Sequence, residues 1–126
     1  MYQDPIERMK EIHIWIGITE LEEDKYDRYF DQEKGVCGFC QDIGQEEYDE
    51  DFMGAIPLYR EPKDILLILS DIALAASEYE SVVSACLDKN ISKANAVFYY
   101  SDKTLSLDAD RKFNGLCYIG AFKSDL

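Results

Sequence analysis

From Glu11 to Ile18 the chain alternates strictly, with Ile12, Ile14, Ile16 and Ile18 on one side and Glu11, His13, Trp15 and Gly17 on the other. Side chains of a strand point in turn to its two faces, so a period of two predicts a strand over 11–18. The pattern then changes. Thr19 followed by Glu22 has the spacing of a capping box, which predicts a helix over 20–31 that carries Leu21, Tyr26, Tyr29 and Phe30 inward and ends before Gly35. Upstream, residues 1–10 offer only Pro5, Ile6 and Met9 for one loose turn and are read as a terminal arm.

Residues 37–43 form a short apolar segment that Gly44 can close as a helix, with Phe39, Ile43 and Phe52 as anchors and the acidic run beyond it as loop or a second short turn. Pro62 suits the first turn of a helix over 63–76, apolar nearly all round at Ile65, Leu66, Leu67, Ile68, Leu69, Ile72 and Leu74 and therefore central. Ser77 with Glu80 opens another helix over 78–90, whose Tyr79, Val82, Val83, Cys86 and Leu87 share a face. Two β-rich runs follow, 94–101 and 116–122, divided by a polar link from Ser101 to Gly115 and expected to pair antiparallel. The fold class expected is α+β: one domain over 1–126, a small mainly antiparallel sheet of about three strands packed with about three to four helices.

A chain of 126 residues can bury a core of its own without a metal or a disulfide. No apolar run approaches the ~18 residues of a membrane span, because Ser70 and Asp71 interrupt the one that starts at Ile65. There is no charged start followed by an apolar run and a small-residue cleavage site, so a cytoplasmic location is expected. Charge narrows the possible partners further. The formal net charge is −13, and residues 1–51 hold five bases against sixteen acids while residues 52–126 hold eight against ten. Such a field repels nucleic acid and anionic membrane, and it speeds encounter with a basic protein.

That field is densest at 42–51, where Asp42, Glu46, Glu47, Asp49, Glu50 and Asp51 surround Tyr48 and no Lys or Arg occurs from Gly35 to Tyr59. Carboxylates this close repel one another, so an uncompensated cluster beside aromatics marks a surface kept for a cationic partner, with Tyr48, and Trp15 or Tyr59, as its aromatic anchors. The competing reading is a solvated loop face with Tyr48 and Phe52 turned inward.

Other chemistry is poorly supported. Cys37 and Cys40 have the spacing of a dithiol redox motif, but Lys34 is the nearest base and the acids downstream would raise a thiol pKa. A zinc site drawn from Cys37, Cys40, Cys86, Cys117 and His13 has ligand spacing only in its first pair. His13 has no nucleophile arranged beside it. A carboxylate metal site from Asp49, Asp51 and Glu78 lacks the basic path a nuclease needs. The stretch from Asp108 to Phe113 begins like a calcium loop but puts Phe113 where glycine is required. No cofactor is expected. A thiol-disulfide oxidoreductase and an acidic adaptor protein are the alternatives carried forward.

Four short segments, taken in order, resemble the immunity protein 22 family of cognate inhibitors of bacterial polymorphic or contact-dependent toxins. They are Ile14-Trp15-Ile16-Gly17, then Phe39 with Asp42-Ile43-Gly44, then Tyr48-Asp49-Glu50-Asp51-Phe52, and Ile119-Gly120-Ala121-Phe122. The resemblance implies a non-catalytic α+β protein that binds a toxin domain and blocks its active site or substrate surface. It assigns no role to Cys37 or Cys40. Joined to the charge pattern, it predicts binding of a basic toxin C-terminal domain, a nuclease acting in the cytosol, through Asp42, Glu46, Glu47, Tyr48, Asp49, Glu50 and Asp51, with no direct nucleic acid or membrane contact.

Overall fold

The computed structural model describes residues 5–108 and 110–125. Residues 1–4 of the expected arm lie outside the described residues; Pro5–Arg8 forms one helical turn (α1). The Ile-Trp repeat forms a strand, Glu11–Gly17 (β1), and every residue from Ile12 to Gly17 is buried. Ile12, Ile14 and Ile16 enter one core and Trp15 the other. A strand that is covered on both faces must be central, and this one is. It pairs antiparallel with Ala96–Ser101 (β5) on one side and Leu116–Lys123 (β7) on the other. The expected direct pairing of the two C-terminal runs is therefore corrected: each lies against β1, and the polar link carries the chain from one flank of β1 to the other.

Two short strands the sequence did not signal, Met53–Ala55 (β2) and Lys112–Phe113 (β6), complete an antiparallel sheet of five in the order β2-β5-β1-β7-β6. On the isoleucine face, Val97 and Ile119 join β1 against Ile65, Ile68, Leu69, Val82 and Cys86. On the tryptophan face, Trp15 stacks on Phe98 at 4.7 Å between ring centroids and meets Phe39 edge-on at 5.6 Å. Tyr26, Phe30, Tyr48, Phe52, Tyr100 and Phe113 fill the remainder.

The helices differ from expectation where tertiary hydrogen bonds claim the backbone. Helix 20–31 shrinks to Glu23–Arg28 (α2). The amide of Asn95 grips both backbone groups of Thr19, at 2.9 and 3.0 Å, and the Thr19 hydroxyl accepts from the Leu21 amide instead of capping. Leu21 stays exposed. The continuous helix over 63–76 is not formed. Lys63–Asp64 (β3) pairs with Lys93–Ala94 (β4), Ile65–Ile68 (α4) and the 3₁₀ turn Leu69–Asp71 follow, and the chain then extends along the end of β7. There the Ala75 amide donates to the Lys123 carbonyl at 3.0 Å and the Asp125 amide to the Ala73 carbonyl at 3.1 Å. Leu66 and Leu67 consequently face outward. By contrast, Gly38–Ile43 (α3) and Tyr79–Asp88 (α5) lie where the pattern puts them. Among the described residues no helix is long and apolar enough to cross a membrane.

His13, the only histidine, is buried where β1 meets the start of the link. Its Nε2 lies 2.9 Å from the Asp102 carbonyl, which can only accept, so Nε2 carries the proton and Nδ1 accepts from the Tyr118 hydroxyl at 2.7 Å. Both ring nitrogens are thereby satisfied in the neutral form. Burial lowers the pKa below the ordinary value, outweighing the opposing pull of the Asp102 carbonyl and of the Glu11 and Asp102 charges. A folded state that prefers neutral histidine has its full stability above the unfolded pKa of about 6.5 and loses it as pH falls from there toward the folded pKa. Urea denaturation from pH 8 down to about 5 should show this decline, and the slope between about pH 7 and 5 should flatten in His13→Gln.

Candidate functional site: an acidic ridge over an aromatic core

Helix α3 is short because glycine stops it. Gly44 takes a left-handed conformation (φ 73°), and the Gln45 amide closes on the Cys40 carbonyl at 3.0 Å. The chain leaves the helix at the surface with Glu46 and Glu47 exposed, then dips as Tyr48 enters the core. The Tyr48 hydroxyl donates to the Phe30 carbonyl at 2.6 Å and its ring meets Phe39 edge-on at 5.3 Å. Gln32 holds the Tyr48 backbone twice: its Nε2 donates to the carbonyl at 3.1 Å, and its Oε1 accepts from the amide at 3.0 Å.

A second fixing point follows at once. The Asp49 amide donates to the Tyr100 hydroxyl at 3.0 Å, and the Asp49 carboxylate accepts from the Asp51 amide at 3.0 Å, capping the 3₁₀ turn Glu50–Phe52. Phe52 is buried under the Arg8 guanidinium, which sits 4.7 Å from the ring centroid. Between the buried Tyr48 and Phe52 the backbone has little freedom left. Glu46, Glu47, Asp49, Glu50 and Asp51 all stay exposed along the resulting ridge. An open groove of about 540 Å³ runs along one side, lined by Arg8, Glu47, Asp49, Glu50 and Asp51. Another of about 610 Å³ lies on the other side, lined by Gln32, Val36, Glu46, Glu47 and Glu50. Glu47 and Glu50 border both.

The remaining expected site residues lie elsewhere. Asp42 accepts from the Tyr29 hydroxyl at 2.6 Å and is ion-paired with Arg111, from the far end of the polar link. The cluster therefore has bases near it, Arg111 at Asp42 and Arg8 in the first groove, and neither could be read from neighbouring sequence. None of the aromatics expected as anchors is free. Trp15 is fully buried, and Tyr48 is a prop beneath the ridge with its hydroxyl pKa pushed up, chiefly by burial. Tyr59 is half-buried, donates to the Asp71 carboxylate and lies under the Lys63 ammonium.

The dithiol motif belongs to the same core. Cys37 caps α3, its sulfur accepting from the Cys40 amide at 3.2 Å, and the two sulfurs lie 2.7 Å apart. The Cys40 thiol points to Gln32 Oε1 at 3.4 Å. Burial, followed by the Cys40 contact, pushes the Cys37 thiol up to about 11. A catalytic dithiol needs an accessible thiolate; both sulfurs are buried, and the raised Cys37 thiol stays protonated at neutral pH. Cys86 and Cys117 belong to the other core, on the opposite face of the sheet. Among the described residues no three His, Cys, Asp or Glu side chains converge as a metal site. Asp49, Asp51 and Glu78 do not come together, since Glu78 sits at the start of α5.

These sulfurs make a measurable statement about the site. Iodoacetamide at about pH 8 should alkylate Cys37 and Cys40 at least tenfold more slowly in the folded chain than in urea, because burial shields both sulfurs and the raised pKa of Cys37 further suppresses its thiolate. Equal rates would mean that the region opens freely.

Comparison with known proteins supplies what geometry alone does not. No curated protein and no solved structure matches the chain. A family model described as Immunity protein 22 matches residues 12–125, from the second residue of β1 to just past the end of β7, and takes in the whole ridge. The chain belongs to the immunity protein 22 family.

Proposed function

We propose that this immunity protein neutralises its cognate toxin by laying the ridge of Glu46, Glu47, Asp49, Glu50 and Asp51 against a basic surface of the toxin domain, and that the toxin is a nuclease acting in the cytosol. Family membership implies a cognate toxin as the partner. The observation that carries the finer reading is the ridge itself: five exposed carboxylates in six residues on a backbone fixed at Tyr48 and Phe52. A nuclease must gather lysines and arginines to hold phosphates, and preordered carboxylates can occupy the same positions. Ordering matters because a loop that must freeze on binding spends part of its interaction energy on lost freedom. The two grooves beside Glu47 and Glu50 give long basic side chains room to lie along the ridge. Asp42, already paired with Arg111, acts from behind as a brace, and Tyr48 acts through the shape it imposes.

Charge reversal at Glu47 and Glu50 tests this most cleanly, since neither side chain makes a hydrogen bond or ion pair among the described residues. Glu47→Lys with Glu50→Lys should leave the thermal midpoint within a few degrees of the parent. Association with the cognate toxin domain should slow by about tenfold or more at low salt, and the difference should shrink as salt rises. Unchanged association and salt dependence would place the docking face elsewhere. Tyr48→Phe discriminates prop from anchor: losing the bond to Phe30 should cost about 1 kcal/mol of folding stability, with little change in the toxin association rate.

A further inference from the structure

We propose that the pocket bordered by Lys89, Lys93 and Lys112 binds a small phosphorylated anion. This site is independent of the toxin reading. It is an open recess of about 280 Å³ at the end of β1, where Gly17, the residues after α5, β4 and the β6–β7 hairpin meet. It shares no lining residue with either groove of the ridge.

Its charge is opposite to that of the molecule. The chain has 26 acids and 13 bases, yet three of the bases line this pocket and no carboxylate does. None of the three is in an ion pair among the described residues. Asp64, which stands opposite Lys93 in the β3–β4 ladder, is not within ion-pair distance of it. Lys89 follows the last turn of α5, where a cation is favoured by the helix carbonyls, and that accounts for Lys89 alone. Lys93 and Lys112 come from separate strands and have no comparable local reason to be there.

The walls between the lysines are low. Asn114 and Gly115 both have positive φ, 54° and 80°, and make the two-residue turn that brings β6 back to β7. Gly115 adds no side chain to the rim and has open space where a Cβ would stand, so a ligand can approach the backbone there. Three compact ammonium charges suit a multivalent oxyanion better than a lone carboxylate, which would neutralise only one of them. A long polyanion is disfavoured because the field of −13 repels it beyond the pocket, whereas a small anion needs to meet only the local charge.

The test is a titration of the full-length, isotope-labelled chain with pyrophosphate, followed through its amide resonances at constant ionic strength, with AMP, chloride and a short single-stranded oligonucleotide in parallel. Pyrophosphate should give saturable shifts confined to residues 17–18, 89–93 and 112–117, and chloride none. Lys89→Gln with Lys93→Gln and Lys112→Gln, all exposed positions, should keep the fold and weaken pyrophosphate by about tenfold or more. AMP stronger than pyrophosphate would identify a nucleotide as the source of the phosphate, and the reverse a free phosphate; both support the site. Absence of saturable shifts, the same affinity in the folded triple variant, or tighter binding of the oligonucleotide at these residues would overturn it.

Discussion

The structure depends on burying β1 on both of its faces. Ile12, Ile14 and Ile16 draw α4, α5 and the extended segment at Leu74 to one side, while Trp15 gathers the aromatic core on the other. A fully covered strand cannot be an edge, so β5 and β7 must flank it and the 102–115 link must cross between them. Opposite Ile14 and Trp15 a bulge shifts the register of β7 by one residue, from Gly120 to Tyr118, beside the positive φ of Gly120 (140°). Every other element is placed by which side of β1 it covers.

The acidic ridge inherits its rigidity from that arrangement. Five like charges along one short segment would by themselves favour an expanded loop. The aromatic core under Trp15 opposes this by taking in Tyr48 and Phe52, and Gln32 links the two neighbouring parts of the site. Its amide accepts from the Tyr48 backbone and from the Cys40 thiol through the same oxygen. The cysteine pair is thus part of the foundation of the ridge, and its chemistry is suppressed by the burial that makes it useful there.

Long-range pairing also redistributes the charge. Arg111 neutralises Asp42 from 69 residues away, and Arg8 lies over Phe52 while pairing with Asp102 at 3.3 Å. What remains unpaired on the ridge is the subset bounded by Glu46 and Asp51. At the other end of β1, Lys89, Lys93 and Lys112 make a local exception to the negative field. The molecule accordingly presents two surfaces of opposite sign, one beside the edge strand β2 and the other where β6, β4 and the end of α5 meet.

The sequence determined what depends on neighbours a few residues apart. Strict alternation identified β1, the i, i+3, i+4 spacing identified α5, and Gly44 closed α3, because these follow from backbone periodicity and from the one residue that tolerates a left-handed turn. The density of carboxylates at 42–51 was equally plain, as was the family resemblance through Trp15, Tyr48 and Phe52. Only the tertiary structure decided which way those aromatics face, because an apolar ring is drawn to an anchor site and to a core by the same hydrophobic effect. It also decided that residues 63–76 break into strand, turn and extended chain, since backbone partners on β4 and at the end of β7 outcompete a helical pattern that is satisfied within the segment. The ion pair of Asp42 with Arg111 and the meeting of three lysines depend on loop closure across the whole sheet, and no local pattern encodes them.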